Sequence, residues 1–573
     1  LILAQGGKPL VPPIPGVEHD HVFSLWTLRD MDAIDAWLEN QMPRHAVVVG
    51  GGFIGIEMVE ALAKRGLQVS VVEMADHVMP NMESEIAGFL QEEMQAYGVN
   101  VVTGTALSRI GSRSVELSDG NTLDADMVIM SVGVKPTLAL AREAGLEIGE
   151  AGGLVTDAYL QTSDPSIYAA GDMVELTHRV ADRSVRIPLA GPANRQGRIA
   201  ASNLLAGDGA ARMRYTGSQG TSIVRVFEAV VASTGLSPAQ AERFGIDAQS
   251  IVIHKDSHTS YYPGSSPVTV MITFDPGTGV VLGAQSAGYD GVDKRIDVLA
   301  TAVRAGMKVS ELADLDLAYA PPFGSANDPI NMAAFVAENR ISGYSPSLTA
   351  AELDSFVAQR SPIFIDLRDP FSWEKGHVTG ALHIHESQLK AHLHELPRDT
   401  SIVLYDDTGK KAHTASLMMR HAGFDDVIFV AGGFPSIARA ARADLFTRLK
   451  VQLPEVEMRD IRELLGESSA DDAHSDADSN PGDDESGASP LAGNDPIVID
   501  VRTPEEYEYG AYPDAVNIPL DELPNRADEL GAADREITLY CASGARSAYG
   551  VRILQQLGFS NAINGGGLYD MMA

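Results

Sequence analysis

Apolar positions along the chain follow two alternating patterns. Short aliphatic, β-branched runs such as Ala46–Val49, Val69–Val72 and Ile537–Tyr540 have the length of buried strands. Between such runs lie stretches with apolar residues at helical spacing, as in Ile56–Lys64. Strands alternating with helices predict parallel α/β sheets. Beyond residue 345 the pattern repeats at a spacing of about 130 residues: IFIDLRDPFSWEKGHVTGALHI (363–384) aligns with IVIDVRTPEEYEYGAYPDAVNI (497–518). SIVLYDDTGKKAHTASLMMRHAGFDDVIFVAGGF (401–434) then aligns with EITLYCASGARSAYGVRILQQLGFSNAINGGGL (536–568). Residues 466–495 separate the two units. They are acidic, rich in Ser, Asp and Gly and nearly empty of large apolar side chains, which predicts a disordered linker inserted within the second unit.

At 573 residues the chain is too long for one core, and three to five domains are expected. No apolar run approaches the roughly 18 residues of a membrane-spanning helix. A net charge of −35 argues against nucleic acid and anionic membrane surfaces as partners. With a single cysteine, Cys541, no intrachain disulfide can form, and a cytoplasmic protein with either a packed or a nucleophilic thiol is expected. The chain opens on LILAQGG with no initiator Met, so an upstream segment is expected.

The strongest local signal is HAVVVGGGFIGIEMVEALAKRGLQVSVVE (45–73), which reads strand, glycine turn, helix, strand. Gly50 serves the tight turn, Gly52 the backbone approach to a pyrophosphate, and Gly55 the helix–strand packing. The helix N-terminus offers N–H groups and positive dipole to the phosphates. Glu73, 18 residues past Gly55, is placed to accept hydrogen bonds from a ribose 2′-OH. A carboxylate there repels a 2′-phosphate and no Arg or Lys follows in MADHVMP, so NADH is favoured over NADPH.

VVVGGGFIGIEMVEALAKRG resembles the NAD domain of two-dinucleotide flavoprotein disulfide reductases. LILAQGGKPLVPPIPG (1–16) is similar to that family's segment leading out of the FAD domain, with Gln5 replacing the usual Thr. SVGVKP (131–136) resembles the crossing back, TSDPSIYAAGD (162–172) the second FAD motif, and PLAGPANRQGR (188–198) the segment along the isoalloxazine ring. GTSIVRVFEAVVASTGL (220–236), YYPG (261–264) and AYAPPFGSANDPIN (318–331) narrow the likeness to the coenzyme A-disulfide reductase, NADH oxidase and persulfide reductase branch, with Asn327 replacing a usual Lys. The resemblance implies FAD and NADH as cofactors and a homodimer. It also implies cofactor contacts at Gly50, Gly52, Gly55, Glu57, Glu73, Gly133, Gly171, Asp172 and Ala190. Tyr262 and Tyr319 are implied to approach the partner's redox cysteine; as packing residues they would instead be amphipathic surface. The family's first glycine motif and its redox cysteine are expected upstream of residue 1, so these residues alone are not expected to complete a redox cycle.

In the second repeat CASGARS (541–547) follows a strand and precedes a helix. A thiolate at a helix N-terminus near Arg546 is nucleophilic, and the same backbone nest stabilises a terminal persulfide sulfur. The segment resembles the rhodanese loop C-x-x-G-x-R-S, although GAYPDA (510–515) lacks the His and second Gly of the usual G-H-I-P-G-A. The first repeat has Asp406 in place of the cysteine and is expected to be catalytically dead, with Lys410 and Lys411 available to an anion. His383, His385, His392 and His394 read as a solvated face rather than a metal site.

The expected fold is therefore α/β: a two-dinucleotide-binding flavoprotein with an incomplete FAD half, an α+β dimerisation domain and two rhodanese-like α/β domains. The expected boundaries are an FAD-domain remnant at 1–42, the NAD domain at 43–130, a returning FAD segment at 131–205 and the dimerisation domain at 206–330. The first rhodanese-like domain is expected at 345–450 and the second at 453–573. The favoured function is NADH-dependent reduction of sulfane sulfur carried on coenzyme A or another small thiol, with Cys541 and Arg546 handling the sulfur. The alternatives are a coenzyme A-disulfide reductase or NADH oxidase with incidental rhodanese units, and a sulfurtransferase with a vestigial flavoprotein part.

Overall fold

The computed structural model describes residues 1–571 except 207–210, 465–495, 509, 514, 521, 525, 534, 543–544 and 569–570. The expected linker at 466–495 thus lies outside the described residues. The chain divides into two compact units, Leu1–His258 with Ser266–Ser468, and Thr259–Ser265 with Ser469–Ala573. Among the described residues no helix is long and apolar enough to cross a membrane.

In the first unit, strand His45–Val49 lies between Met127–Met130 and Gln68–Val72 in a five-stranded sheet completed by Val22–Phe23 and Asn100–Val102. Its pairings are parallel, as the strand–helix alternation requires. Helix Phe53–Lys64 buries Ile56, Val59 and Leu62 against this sheet. The two segments read as crossings between halves run side by side: Gly7–Pro9 pairs antiparallel with Val134–Pro136. Ile2–Leu3 pairs parallel with Tyr168–Ala169, on which helix Ala190–Leu205 packs through Ile199 and Ala200. A five-stranded antiparallel sheet follows, from Ser222–Val226 to Val281–Gly288, covered by helices Val292–Ala305 and Pro329–Ile341. The first repeat forms a parallel five-stranded sheet centred on Ile402–Tyr405.

This repeat is joined closely to the rest of its unit. Helix Gly433–Arg442 lies on helix Ser84–Ala96, where Gly88 leaves room for the Arg439 stem; a Cβ at Gly88 would meet Arg439 Cβ at 3.0 Å. Arg439 and Arg442 both pair with Glu92, at 3.1 and 3.4 Å. Ser436 Oγ lies 3.1 Å from His254 Nε2 on the antiparallel sheet. Past the repeat, Arg459 pairs with Glu93 at 3.1 Å and donates to Tyr289 Oη at 3.0 Å, bridging two domains. At the centre of the joint the Ala350 N–H donates to the fully buried Glu85 at 2.8 Å, and the other carboxyl oxygen is buried without a partner.

In the second unit, Val516–Asn517, Ile497–Asp500, Ile537–Cys541 and Ala562–Gly567 form a parallel four-stranded sheet. Its core holds Ile499, Ile537, Leu539 and Leu554, the last from helix Ala545–Gln556.

Burial pushes the Glu85 carboxyl up to about 8 from its ordinary 4.5. Between those values the folded state holds a proton that the unfolded chain has lost, so this group makes stability fall as pH rises, levelling above about 8. Glu85→Gln should leave stability near pH 4.5 unchanged and raise it at pH 8 by on the order of 2–4 kcal/mol. Urea unfolding at the two pH values checks this; an unchanged pH slope in the variant would assign the slope to other groups.

Candidate active site

The nucleotide site is built by backbone crowding. Gly50 adopts φ +102°, and a Cβ there would lie 2.5 Å from the Ser131 carbonyl. A Cβ at Gly55 would lie 1.9 Å from the Gly50 carbonyl, so only glycine lets the helix approach the turn. Gly52 differs: its φ is −81° and a Cβ would meet nothing within 4 Å. The space it keeps open is therefore not needed by the protein itself. Ser131 Oγ holds the turn from below, donating to the carbonyls of Val49 and Gly50 at 3.0 and 2.8 Å. Glu73 accepts from the Gly51 N–H at 2.7 Å and the Ala75 N–H at 2.9 Å, which fixes its carboxylate beside the turn.

Glu57 sits apart from this cluster. It is exposed one turn into the helix and lines a cleft with Ile223, Arg225 and Tyr289. Gly133 has φ +110°, and its carbonyl accepts from the Leu10 N–H at 2.9 Å, tying the two crossing segments.

On the flavin side, Gly171 turns at φ +88° and donates its N–H to Gln196 Oε1 at 2.8 Å. Gln196 is buried with its Nε2 unpartnered, and Asp172 beside Gly171 is half-buried with its carboxyl pushed up by burial. Ala190 is the first residue of the helix carrying Gln196. An open phosphate cradle at Gly52, an oriented carboxylate at Glu73, an orphan amide at Gln196 and a desolvated Asp172 all fit bound NAD(H) and FAD.

Cys541 ends its strand and is buried, with Ser547 Oγ 3.5 Å from its sulfur. Ser547 donates its proton to Asn564 Oδ1 at 2.7 Å. Arg546 is held by Glu506 through two hydrogen bonds of 2.5 and 2.6 Å, which raise its pKa ahead of any influence of Cys541. The positive charge expected beside the thiol is thus shared with a carboxylate. Glu506 escapes a reading of the sequence because Thr503-x-x-Glu506 reads as a helix-capping box, and it does cap: the Thr503 N–H donates to Glu506 at 3.0 Å. Ser543 and Gly544 of the same loop lie outside the described residues.

In the first repeat the equivalent loop is filled by its own side chain. The Asp406 carboxylate accepts from the N–H groups of Gly409 and Lys411, at 2.5 and 2.9 Å. Lys411 also pairs with Glu386 at 3.1 Å. His383, His392 and His394 each bond a nearby backbone carbonyl, and His385 lies 2.8 Å from Ser387 Oγ. Tyr262 and Tyr319 are about half exposed, 43% and 50%; Tyr262 lies in the Thr259–Ser265 segment grouped with the second unit and Tyr319 in the first.

Comparisons with known proteins agree with this architecture. The pyridine nucleotide-disulphide oxidoreductase pattern matches residues 1–197, its dimerisation domain residues 221–328, and the rhodanese-like domain residues 349–440 and 485–570. The chain belongs to the pyridine nucleotide-disulphide oxidoreductase family, as a flavoprotein oxidoreductase fused to two rhodanese-like domains. It is 33% identical over 340 residues to the NAD(P)H sulfur oxidoreductase (CoA-dependent) of Pyrococcus abyssi, covering 59% of this chain and 75% of that one. It is 30% identical over 323 residues to a coenzyme A disulfide reductase of Staphylococcus aureus, covering 56% and 73%. The structure of reduced Bacillus anthracis CoADR-RHD superposes with TM-score 0.72 at 39% identity, over 76% of this chain and 78% of that one. An NAD-dependent persulfide reductase from A. fulgidus gives TM-score 0.71 at 36% identity, over 76% and 79%.

The two glycines separate stability from binding. Gly55→Ala should lower stability by about 1–3 kcal/mol, because its methyl group overlaps the Gly50 carbonyl. Gly52→Ala should cost less stability than Gly55→Ala, about 0.5–1 kcal/mol for the helix N-cap, yet weaken NADH binding about tenfold or more, by displacing phosphate from N–H donors worth ~1.5–3 kcal/mol each. Thermal melts and NADH fluorescence titrations read the two effects separately.

Proposed function

We propose that this protein uses NADH to reduce sulfane sulfur carried on a small thiol of the coenzyme A type, with Cys541 taking up or presenting the sulfur. The observation that carries the proposal is the pairing, within one chain, of a dinucleotide cradle with a buried Cys541. That thiol stands at a strand end, beside Ser547 and followed by the helix that carries Arg546. In the overall reaction NADH, a proton and RSSH give NAD⁺, RSH and H₂S: the hydride's two electrons break the S–S bond and both sulfurs leave protonated. FAD, when bound, supplies the two-electron step between nicotinamide and sulfur.

This chain's own residues set the stage. The N–H groups after Gly52 receive pyrophosphate, and Glu73 receives the ribose hydroxyls, which favours NADH over NADPH. Asp172, Ala190 and Gln196 line the flavin side. Glu506 fixes the Arg546 fork beside the thiol loop, and Ser547 sets its hydroxyl oxygen 3.5 Å from the sulfur. Tyr262 and Tyr319 belong to the substrate approach in a homodimer, a state that the match to the dimerisation domain supports. A cytoplasmic location accords with a chain whose single cysteine forms no disulfide within it.

The test pairs Cys541→Ser with wild type, both as the full-length protein. The variant should lose persulfide uptake, read by mass spectrometry of the intact chain, and should slow NADH oxidation with coenzyme A persulfide about tenfold or more. Unchanged NADH oxidation would leave the rhodanese unit incidental and favour disulfide reduction. Persulfide on Cys541 without any NADH oxidation would reduce the function to sulfur transfer. Glu506→Gln, which removes the carboxylate charge beside Arg546, should alter the pH profile of persulfide uptake more than its amplitude.

A further inference from the structure

In a chain where 78 Asp and Glu outnumber 43 Lys and Arg, guanidinium groups gathered with a single carboxylate need a reason. Five arginines, Arg179, Arg195, Arg198, Arg214 and Arg304, line one cleft of about 800 Å³ in the first unit, with Asp297 as its lone carboxylate among the described residues. The cleft runs between helix Ala190–Leu205, the segment Met213–Thr221 and helix Val292–Ala305. Arg179 donates to the Thr216 carbonyl at 2.9 Å. Arg195, Arg198, Arg214 and Arg304 are exposed and form no ion pair among the described residues.

Guanidinium groups lining one cleft repel one another wherever they approach within the screening length of about 8 Å at physiological salt. An anion in their midst removes that repulsion. Guanidinium forks bind phosphate oxygens in pairs, and the volume suits a nucleotide-sized ligand rather than a single ion. A long polyanion is disfavoured, because beyond the cleft it would run over the surface of a chain of net charge −35.

We propose that this cleft binds a soluble small molecule bearing two or more phosphate groups, at a site separate from the Gly50–Gly55 turn. The inference does not rest on the sulfur chemistry proposed above. Calorimetric titration of the full-length flavoprotein with inorganic tripolyphosphate and with ADP tests it, in the presence of saturating NADH and FAD to fill the dinucleotide sites. One binding event is expected, weakening as salt is raised. The double substitution Arg214→Glu and Arg304→Glu should weaken it about tenfold or more, with NADH affinity unchanged. Should that pair fail to fold, Arg214→Gln with Arg304→Gln replaces it, with a smaller loss expected. Absence of binding, displacement by NADH or FAD, equal affinity in the folded variant, or binding by heparin but by neither small phosphate would overturn the proposal.

Discussion

Scarcity of positive charge constrains much of this structure. Removing a guanidinium from water without a partner costs several kcal/mol, and breaking a buried pair is similarly expensive. Three of its buried arginines, Arg295, Arg368 and Arg502, each meet a carboxylate and a carbonyl together. Arg295, almost wholly buried, bonds Asp328 at 2.9 Å and the Ser257 carbonyl at 2.6 Å. Arg368 bonds Asp366 and the Gly376 carbonyl, both at 2.6 Å, and Arg502 repeats the arrangement with Asp500 and Gly510. The two rhodanese-like domains therefore share one internal strut, although their loops have diverged in chemistry.

The same economy governs how the first of these domains is attached. Glu92 receives both Arg439 and Arg442, while Arg459 reaches Glu93, Glu228 and Tyr289. Between these ionic contacts the joint is held by neutral means, the small residue Gly88 and a carboxyl at Glu85 that burial keeps protonated. A domain without a cysteine thus spans the nucleotide-binding domain and the antiparallel sheet.

What the sequence disclosed was whatever lies close along the chain. The glycine turn, the helix behind it, Glu73 and the repeated strand–loop–helix pattern are local, because the physics that demands them acts over a few residues. The partners that finish each site are distant. Glu506 reaches Arg546 across 40 residues, Gln196 reaches Gly171 across 25, and Glu85 reaches Ala350 across 265. None leaves a periodic trace, and Glu506 was hidden behind a capping pattern it also satisfies. Local spacing cannot show that Arg546 shares its charge with a carboxylate or that Glu57 stands apart from the turn.

Asp406 gives the first repeat an unusual standing. Its carboxylate rests in the backbone N–H groups that such a loop offers to an anion. The loop therefore behaves as a receptor sold with its ligand covalently attached. The occupant is always present at a local concentration that no diffusing anion matches, so the loop keeps its shape whether or not the cell supplies sulfur. The first repeat is thus a socket permanently plugged by its own side chain.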